Sequence, residues 1–449
     1  MFKYDLVVIG SGVGGSSAAY QCREEGMTVA VIDKKPFGGT CALRGCDPKK
    51  VLAGVAALMD QNRRMKGLGI TEGSRIDWEE LMAFKRTFTD KVPQSRVDAF
   101  ENAGIDTYHG KATFLSKNEV LVNGRKLTFD RLLIATGAKP APLYFTGEEH
   151  LSTSEDFLEL PHLPKKLVFV GGGFISFECA HIAAQAGSEV HILQGNDQAL
   201  EHFDQELVKF LVKRSEELGI RVHFNAAPFL IEKKEDHYEV YADQDGENII
   251  FTCDQVFHGA GRIPDIEDLD LEKGRVEFTR DGIAVNEYLQ SISNHRVYAA
   301  GDVSATKGYP LTPVAAKESM VAAENIYLGD GRKVKYGLMP SVVFTEPKLA
   351  IIGLTEESAV KKGYDVSVHR METKNWYTYR RTNEPYAMVK TVVNKKTGKL
   401  LGVHILGGNA DDMINYFALI MNFDLPYDEV REMIFAYPTS ASDLSYLLK

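Results

Sequence analysis

The sequence predicts an α/β fold in which a glycine-rich strand–turn–helix–strand unit occurs twice and an α+β segment follows. Three observations predict it. The short apolar run Lys3 to Ile9, of the buried-strand kind, leads into Gly10-Ser11-Gly12-Val13-Gly14-Gly15. The same order recurs where Lys166 to Val170 leads into Gly171-Gly172-Gly173-Phe174-Ile175-Ser176. Between them, the stretch Gly38 to Lys50 carries Cys41 and Cys46, five positions apart, among glycines and a proline.

Each element can be justified in turn. Gly10, Gly12 and Gly15 fit G-x-G-x-x-G, with Gly14 beside the last of them. Glycine there lets the backbone approach a pyrophosphate, whose charge meets a helix N-terminus. A helix is expected from Ser16 to Glu25, then a strand from Thr28 to Ile32 ending in Asp33. Asp33 can accept hydrogen bonds from the ribose hydroxyls of an adenosine. In the second unit Gly171 and Gly173 fill the first two glycine positions and Ser176 the third, where a small residue still permits close helix–strand packing. The strand Glu189 to Leu193 completes it. Both units therefore read as Rossmann-like dinucleotide-binding domains.

The cysteine stretch carries the chemistry. Gly45 relaxes the backbone before Cys46, and Pro48 suits a helix start. A helix N-terminus stabilises a thiolate. Five positions is about one and a half helical turns, so a local bend lets the two sulfurs meet. This is the pattern of a disulfide that opens and closes during a reaction. Two dinucleotide folds flanking it point to one tightly held flavin and one exchangeable nicotinamide, with electrons passing from nicotinamide to flavin to disulfide.

Composition narrows the class. A length of 449 residues, 44% of them apolar, suggests about three domains with sizeable cores. No apolar run reaches the roughly 18 residues of a transmembrane helix. The first strand starts within a few residues of Met1, where a signal peptide would otherwise lie. The net charge of −10 argues against nucleic acid and anionic membranes as partners. Five cysteines with one motif-like pair suit a reducing cytoplasm. Cys22, Cys179 and Cys253 read as inert core thiols, and no histidine shows metal-ligand spacing, so no metal site is expected.

Further segments carry a resemblance. They are Arg131 to Lys139 around Ala135-Thr136-Gly137, Gly259 to Pro264, Val297 to Asp302, Leu311-Thr312-Pro313-Val314-Ala315, and Met339 to Pro347. With the glycine and cysteine motifs, the chain resembles from end to end the class I pyridine nucleotide–disulfide oxidoreductases, the family of lipoamide dehydrogenase, glutathione reductase and mercuric reductase. The resemblance implies FAD held by Gly10, Gly12, Gly14, Gly15 and Asp33, by Gly39 and Thr40, and by Thr136 and Gly137. It adds Gly261, Arg262, Gly301 and Asp302, with Leu311, Thr312 and Pro313 over the redox end. For the nicotinamide it implies Gly171, Gly173, Phe174, Ile175, Glu178 and Gln194. Cys46 would face the flavin as a thiolate, and Cys41 would face outward and attack the acceptor. Lys49 and Glu178 would form an ion pair beside both cofactors. The C-terminal part resembles the family's dimerisation domain, which implies a homodimer. On this reading residues 1–143 and 264–335 form the FAD domain, 144–263 the NAD(P) domain and 336–449 the dimerisation domain. In the last of these, helices are expected at Ala410 to Met421 and Tyr427 to Ile434, the latter with Val430, Met433 and Ile434 as an apolar face.

The departures from the family bear on the acceptor. The family commonly places a histidine, with a glutamate five residues later, in the partner subunit's site. Here Tyr437 and Ser442 take those positions and Asp443 follows. A tyrosine, with its ordinary pKa of about 10, is a poor base at neutral pH but can donate a hydrogen bond. The nearest histidine in sequence, His404, falls in a predicted strand. Tyr437 is expected near the partner subunit's active site. Tyr20 and Met320 stand where glutathione reductases use arginines, so glutathione is disfavoured. Lipoamide dehydrogenase needs the histidine, so it is disfavoured too, and mercuric reductases carry a C-terminal cysteine pair, whereas the last cysteine here is Cys253, so a standard mercuric reductase is disfavoured as well. Gln194 ends the second strand of the NAD(P) domain, and no Lys or Arg lies between Lys166 and Lys209. NADH is therefore preferred, with NADPH as the alternative. Three functions follow: an NAD(P)H-driven reductase of a small-molecule or protein disulfide; a metal-ion, quinone or oxygen reductase of the same fold; or a redox-sensing flavoprotein.

Overall fold

The computed structural model describes residues 2–448. The chain forms two compact units. The first comprises Met1–Lys49, Ala83–Ala141 and Gly261–Tyr336; the second comprises Lys50–Met82, Pro142–Ala260 and Gly337–Lys449.

The first unit is built on a seven-stranded sheet. Its strands run in the order Asp106–His109, Val29–Asp33, Phe2–Ile9, Arg125–Ile134, Glu119–Val122 and Ala112–Ser116, and Val297–Ala299 also pairs with Arg125–Ile134. The strands of the nucleotide-binding part are parallel: Val7 lies opposite Ala30 on one side and Leu132 on the other. Both faces of Phe2–Ile9 are covered, which is why Leu6, Val7 and Val8 are all fully buried and the run reads as continuously apolar. The helix Val13–Glu24 starts at an N-cap glycine, Gly12, three residues before the expected start. It packs its small residues Ala18, Ala19 and Cys22 against Val321, Ala322 and Ala323 of the helix Thr312–Leu328. Ser319 Oγ accepts a 3.0 Å hydrogen bond from the Ala18 amide at this contact.

The second unit contains a four-stranded parallel sheet in the order Ile220–His223, Glu189–Leu193, Lys166–Val170 and Gln255–His258. The helix Phe174–Gln185 is buried along nearly its whole length. A three-stranded antiparallel sheet, Ala226–Lys233, Tyr238–Gln244 and Glu247–Cys253, accompanies it. The C-terminal part of this unit is a five-stranded antiparallel sheet. On it lies the helix Ala410–Asn422, whose Met413, Ile414, Phe417 and Ile420 repeat at helical spacing over Ala350, Ile352, Val403 and Ile405.

The expected apolar face on the last helix needs correction. The helix Tyr427–Glu432 stops at Met433, whose backbone is extended. Val430 is buried, but Met433 is 57% and Ile434 99% exposed. These two apolar side chains project from the surface of the subunit instead of closing its core.

Candidate active site

The cysteines lie at a break between two helices. Gly39–Arg44 ends at Gly45, and a second helix, Cys46–Arg64, begins at Cys46 itself. Gly45 is placed there by space: a Cβ on it would approach Thr40 O to 3.1 Å. Cys41 and Cys46 are both free thiols. Cys46 is exposed and Cys41 half-buried. The Thr312 hydroxyl lies 3.6 Å from Cys46 Sγ. Asp47 Oδ1 lies 4.0 Å from Cys41 Sγ.

The pair holds one proton unequally. A hydrogen bond from Cys41 pulls the Cys46 thiol down to about 6, against the cost of burial and with help from Thr312 and the Lys49 charge. The position of Cys46 at a helix N-terminus acts in the same direction. Cys41 is pushed up by that same hydrogen bond, by burial and by the charge of Asp47. So the thiolate rests on Cys46 and the proton on Cys41. The remaining cysteines are buried, and burial pushes Cys22 and Cys253 up to about 12.

The dinucleotide cradle of the first unit is made by backbone contacts that exclude side chains. Gly10 has φ +111°, and a Cβ there would stand 2.2 Å from Ala135 O. Gly39 has φ +74°, and its Cβ would stand 2.3 Å from Gly12 Cα. Asp33 accepts from the Ser11 amide at 2.8 Å and the Ser11 hydroxyl at 2.6 Å. Four lone-pair sites on a carboxylate leave room for ribose hydroxyls as well. The Thr136 hydroxyl, beside this cradle, is buried with no hydrogen-bond partner among the described residues. Arg262 donates to Ala138 O, and the strands Ala138–Pro140 and Arg262–Pro264 pair there. Burial raises the Asp302 carboxyl; Arg262 opposes this and Glu318 adds to it. An open glycine cradle, an orphaned hydroxyl and an acid at the ribose position fit FAD.

Glu318 was not marked by any motif. It is 1% exposed and accepts from Gly301 N, Thr306 Oγ1 and Tyr336 OH at 2.7 Å each and from Ser304 Oγ at 3.3 Å. It thereby ties the Gly301-Asp302 turn to the helix that begins at Thr312. The signal was present: an acid four residues after Val314 on a helix face that is otherwise apolar.

In the second unit, Gly171 has φ +96° and would bring a Cβ within 2.5 Å of Ala260 Cα. Ser176 Oγ donates to Gly171 O at 2.5 Å, so the third position closes the turn with a hydrogen bond where glycine would close it by proximity. Gly173 caps the helix that begins with Phe174 and Ile175, and Phe174 is 51% exposed. Gln194 accepts from Gly172 N at 2.6 Å and donates to Asn196 Oδ1 at 2.6 Å and Gln198 O at 2.9 Å. Both its N–H groups are thus used within the loop, leaving only oxygen lone-pair capacity for a ribose. Glu178 is buried, and its Oε1 accepts from Phe344 N at 2.8 Å. Lys49 falls in the first unit and Glu178 in the second.

Tyr437 is 82% exposed. The turn after it is fastened by Thr439 and Ser442, which cap each other, and by Asp443, which accepts from Thr378 Oγ1 at 2.7 Å. Ser442 therefore closes the turn instead of orienting residue 437. His404 is fully buried and burial pulls its imidazole down to about 4, so it cannot serve as an acid–base group near neutral pH. Among the described residues no group of three or more His, Cys, Asp or Glu could hold a metal ion, and no helix is long and apolar enough to cross a membrane.

Two nucleotide-binding folds and a thiol–thiolate pair define a flavin-dependent nicotinamide oxidoreductase. The chain belongs to the family described as pyridine nucleotide-disulphide oxidoreductase, whose model matches residues 4–319; the family's dimerisation domain matches residues 339–447. The dimerisation domain makes the protein a homodimer. Mercuric reductase from Staphylococcus aureus is 33% identical over 447 residues, covering 98% of this chain and 81% of that protein. Dihydrolipoyl dehydrogenase from Bacillus subtilis (strain 168) is 30% identical over 442 residues, covering 97% and 93%. Among solved structures, the Cu(II) complex of the HOCl-induced flavoprotein disulfide reductase RclA from Escherichia coli matches with a TM-score of 0.89 and 26% identity, over 100% of this chain and 99% of that one.

Proposed function

We propose that this enzyme uses NADH to reduce its Cys41–Cys46 pair and that the pair delivers electrons to a thiophilic metal ion in preference to glutathione disulfide or lipoamide. One observation carries the reading: the acid–base position is Tyr437, while His404, the nearest imidazole in sequence, is buried and uncharged. Reducing an organic disulfide releases a thiolate that needs a proton. A soft metal ion bound by two thiolates needs none. The names of two similar proteins, a mercuric reductase and a flavoprotein disulfide reductase in complex with Cu(II), bring metal ions into view.

The residues take these roles. Gly10, Gly12, Gly14, Gly15, Asp33, Thr136, Gly137 and Asp302 would hold FAD, which supplies the two-electron relay between nicotinamide and disulfide. Gly171, Gly173, Ile175 and Gln194 would receive the nicotinamide nucleotide, and Phe174 would cover it. Cys46 holds the thiolate, stabilised by Thr312 and Lys49. Cys41 keeps the proton and releases it as it bonds the acceptor. Oxidation of the pair to the disulfide yields two electrons, enough for one divalent ion reduced to metal or two reduced by one charge each. Tyr437 would face the partner subunit's site and donate a hydrogen bond there. Free thiols throughout the fold suit a cytoplasmic enzyme.

The test is steady-state turnover with NADH and a panel of Hg(II), Cu(II), glutathione disulfide and lipoamide, on the wild type and on Tyr437→His. Metal reduction should dominate in the wild type, and the histidine should raise disulfide turnover by about 10²-fold or more. A wild type that turns over glutathione disulfide as fast as the metal ions would overturn the reading.

A further inference from the structure

Asp47 occupies the first turn of the helix Cys46–Arg64 and is exposed. Its Oδ1 lies 4.0 Å from Cys41 Sγ. Any acceptor bonding to that sulfur places its reacting atom about 2 Å from it, and so within about 6 Å of the carboxylate. Lys49 acts on Cys46, whereas Asp47 bears on both sulfurs, and at Cys41 its charge adds to that of the Cys46 thiolate. Nothing offsets this with cations at the two places where glutathione reductases hold their substrate. Tyr20 is stacked on Phe100 at 5.1 Å, and Met320 is 53% exposed.

We infer that Asp47 sets the charge selectivity of the acceptor site, admitting cationic thiophilic acceptors and rejecting anionic disulfides. This rests on the reading of Cys41 as the sulfur that meets the acceptor, and it narrows that acceptor to a cation. A unit charge at about 5–6 Å in water changes a rate by roughly threefold to fourfold, in opposite senses for the two signs. The ratio of cation to anion rates should therefore depend on Asp47 by about tenfold, and the dependence should fade at high salt.

Charge-matched thiol reagents read this without turnover. The FAD-loaded dimer carrying Cys46→Ser leaves Cys41 as the accessible thiol, since Cys22, Cys179 and Cys253 are buried. Each methanethiosulfonate forms a mixed disulfide with the Cys41 thiolate as its S–SO₂ bond breaks and methanesulfinate leaves with the electron pair. The rates with the trimethylammonioethyl and sulfonatoethyl reagents should give a ratio that falls about tenfold on adding Asp47→Asn and further on adding Asp47→Lys. Glu247→Gln, at an exposed acid of the strand Glu247–Cys253, should leave it unchanged. A ratio that stays within twofold in Asp47→Asn, or falls equally in Glu247→Gln, overturns the inference. With Cys46 intact, kcat/KM for cystamine, a dication, over dithiodiglycolate, a dianion, should fall in the same order. If the reagent ratio falls and neither disulfide turns over, the selectivity of Cys41 stands and only organic disulfides are removed as acceptors. If the reagents instead modify Cys41 no faster than the buried thiols, the assignment of Cys41 as the accessible sulfur fails, and the inference with it.

Discussion

Removing the Thr312 hydroxyl should raise the Cys46 thiol by about one pH unit. The hydroxyl sits 3.6 Å from Cys46 Sγ, and Thr312→Val keeps the shape of the side chain at the first position of its helix. A hydrogen bond to a charged group contributes about 1.5–3 kcal/mol. Cys46 is exposed, so water replaces part of that, leaving about 1.4 kcal/mol or one pH unit. The midpoint then moves from about 6 to roughly 7. At pH 6.5 the thiolate fraction should drop from about three quarters to about one quarter, a threefold loss of reactivity. The sign is fixed: a depressed thiol is reactive above its midpoint and loses reactivity as pH falls through it. Cys41→Ala should raise Cys46 further, because the hydrogen bond from Cys41 is the largest cause of its depression. The assay is the pH profile of iodoacetamide alkylation of the reduced protein, with Cys46 followed by mass spectrometry. The long-wavelength absorbance of a thiolate beside oxidised flavin gives a second reading. A Cys46 midpoint that stays near 6 in Cys41→Ala, or moves by less than 0.3 pH unit in Thr312→Val, would refute the account of the thiol pair.

Other perturbations follow from the same geometry. Glu318→Ala leaves four donors without their acceptor, and should cost about 3 kcal/mol or more and loosen FAD, measured as flavin released on dilution. Glu318→Gln should be mild, since its oxygen can meet the Gly301 amide while its N–H groups meet the Thr306 and Tyr336 hydroxyls. Glu346 is 7% exposed and burial pushes its carboxyl up to about 7, with Lys348 opposing and Asp60 adding. The folded state thus holds a proton that the unfolded state has lost above its ordinary value of 4.5, so stability falls as pH rises from there to about 7. Relative to Glu346→Gln, the wild type should lose up to about 3 kcal/mol across that window, read from paired denaturation midpoints. NADH should reduce the flavin at least about tenfold faster than NADPH in stopped flow, because a 2′-phosphate near Gln194 would meet Asp197 and Glu201 and no cation of that loop.

Local pattern was enough to specify the fold class and most of the cofactor contacts. The strand–glycine–helix order needs only a short continuous apolar run, a residue tolerating φ above zero at Gly10 and Gly171, and a small residue at Gly15 and Ser176. Those requirements lie within about thirty residues of chain, so the sequence alone determined them. The cysteine spacing and the glycine before Cys46 likewise announced a reactive pair. The sharing of its proton was decided by tertiary structure: Thr312, far along the chain, supplies the hydroxyl at Cys46, and the fold of one helix start sets Asp47 against Cys41. Glu318 and Thr378 escaped notice for the same reason, since a lone acid or hydroxyl shows its purpose only when its partners converge. The helix from Tyr427 ended early because Met433 turns extended, a choice that helical periodicity alone could not reveal. Short-range sterics are written residue by residue in the sequence, whereas electrostatics depend on distances between residues that only the folded chain brings together.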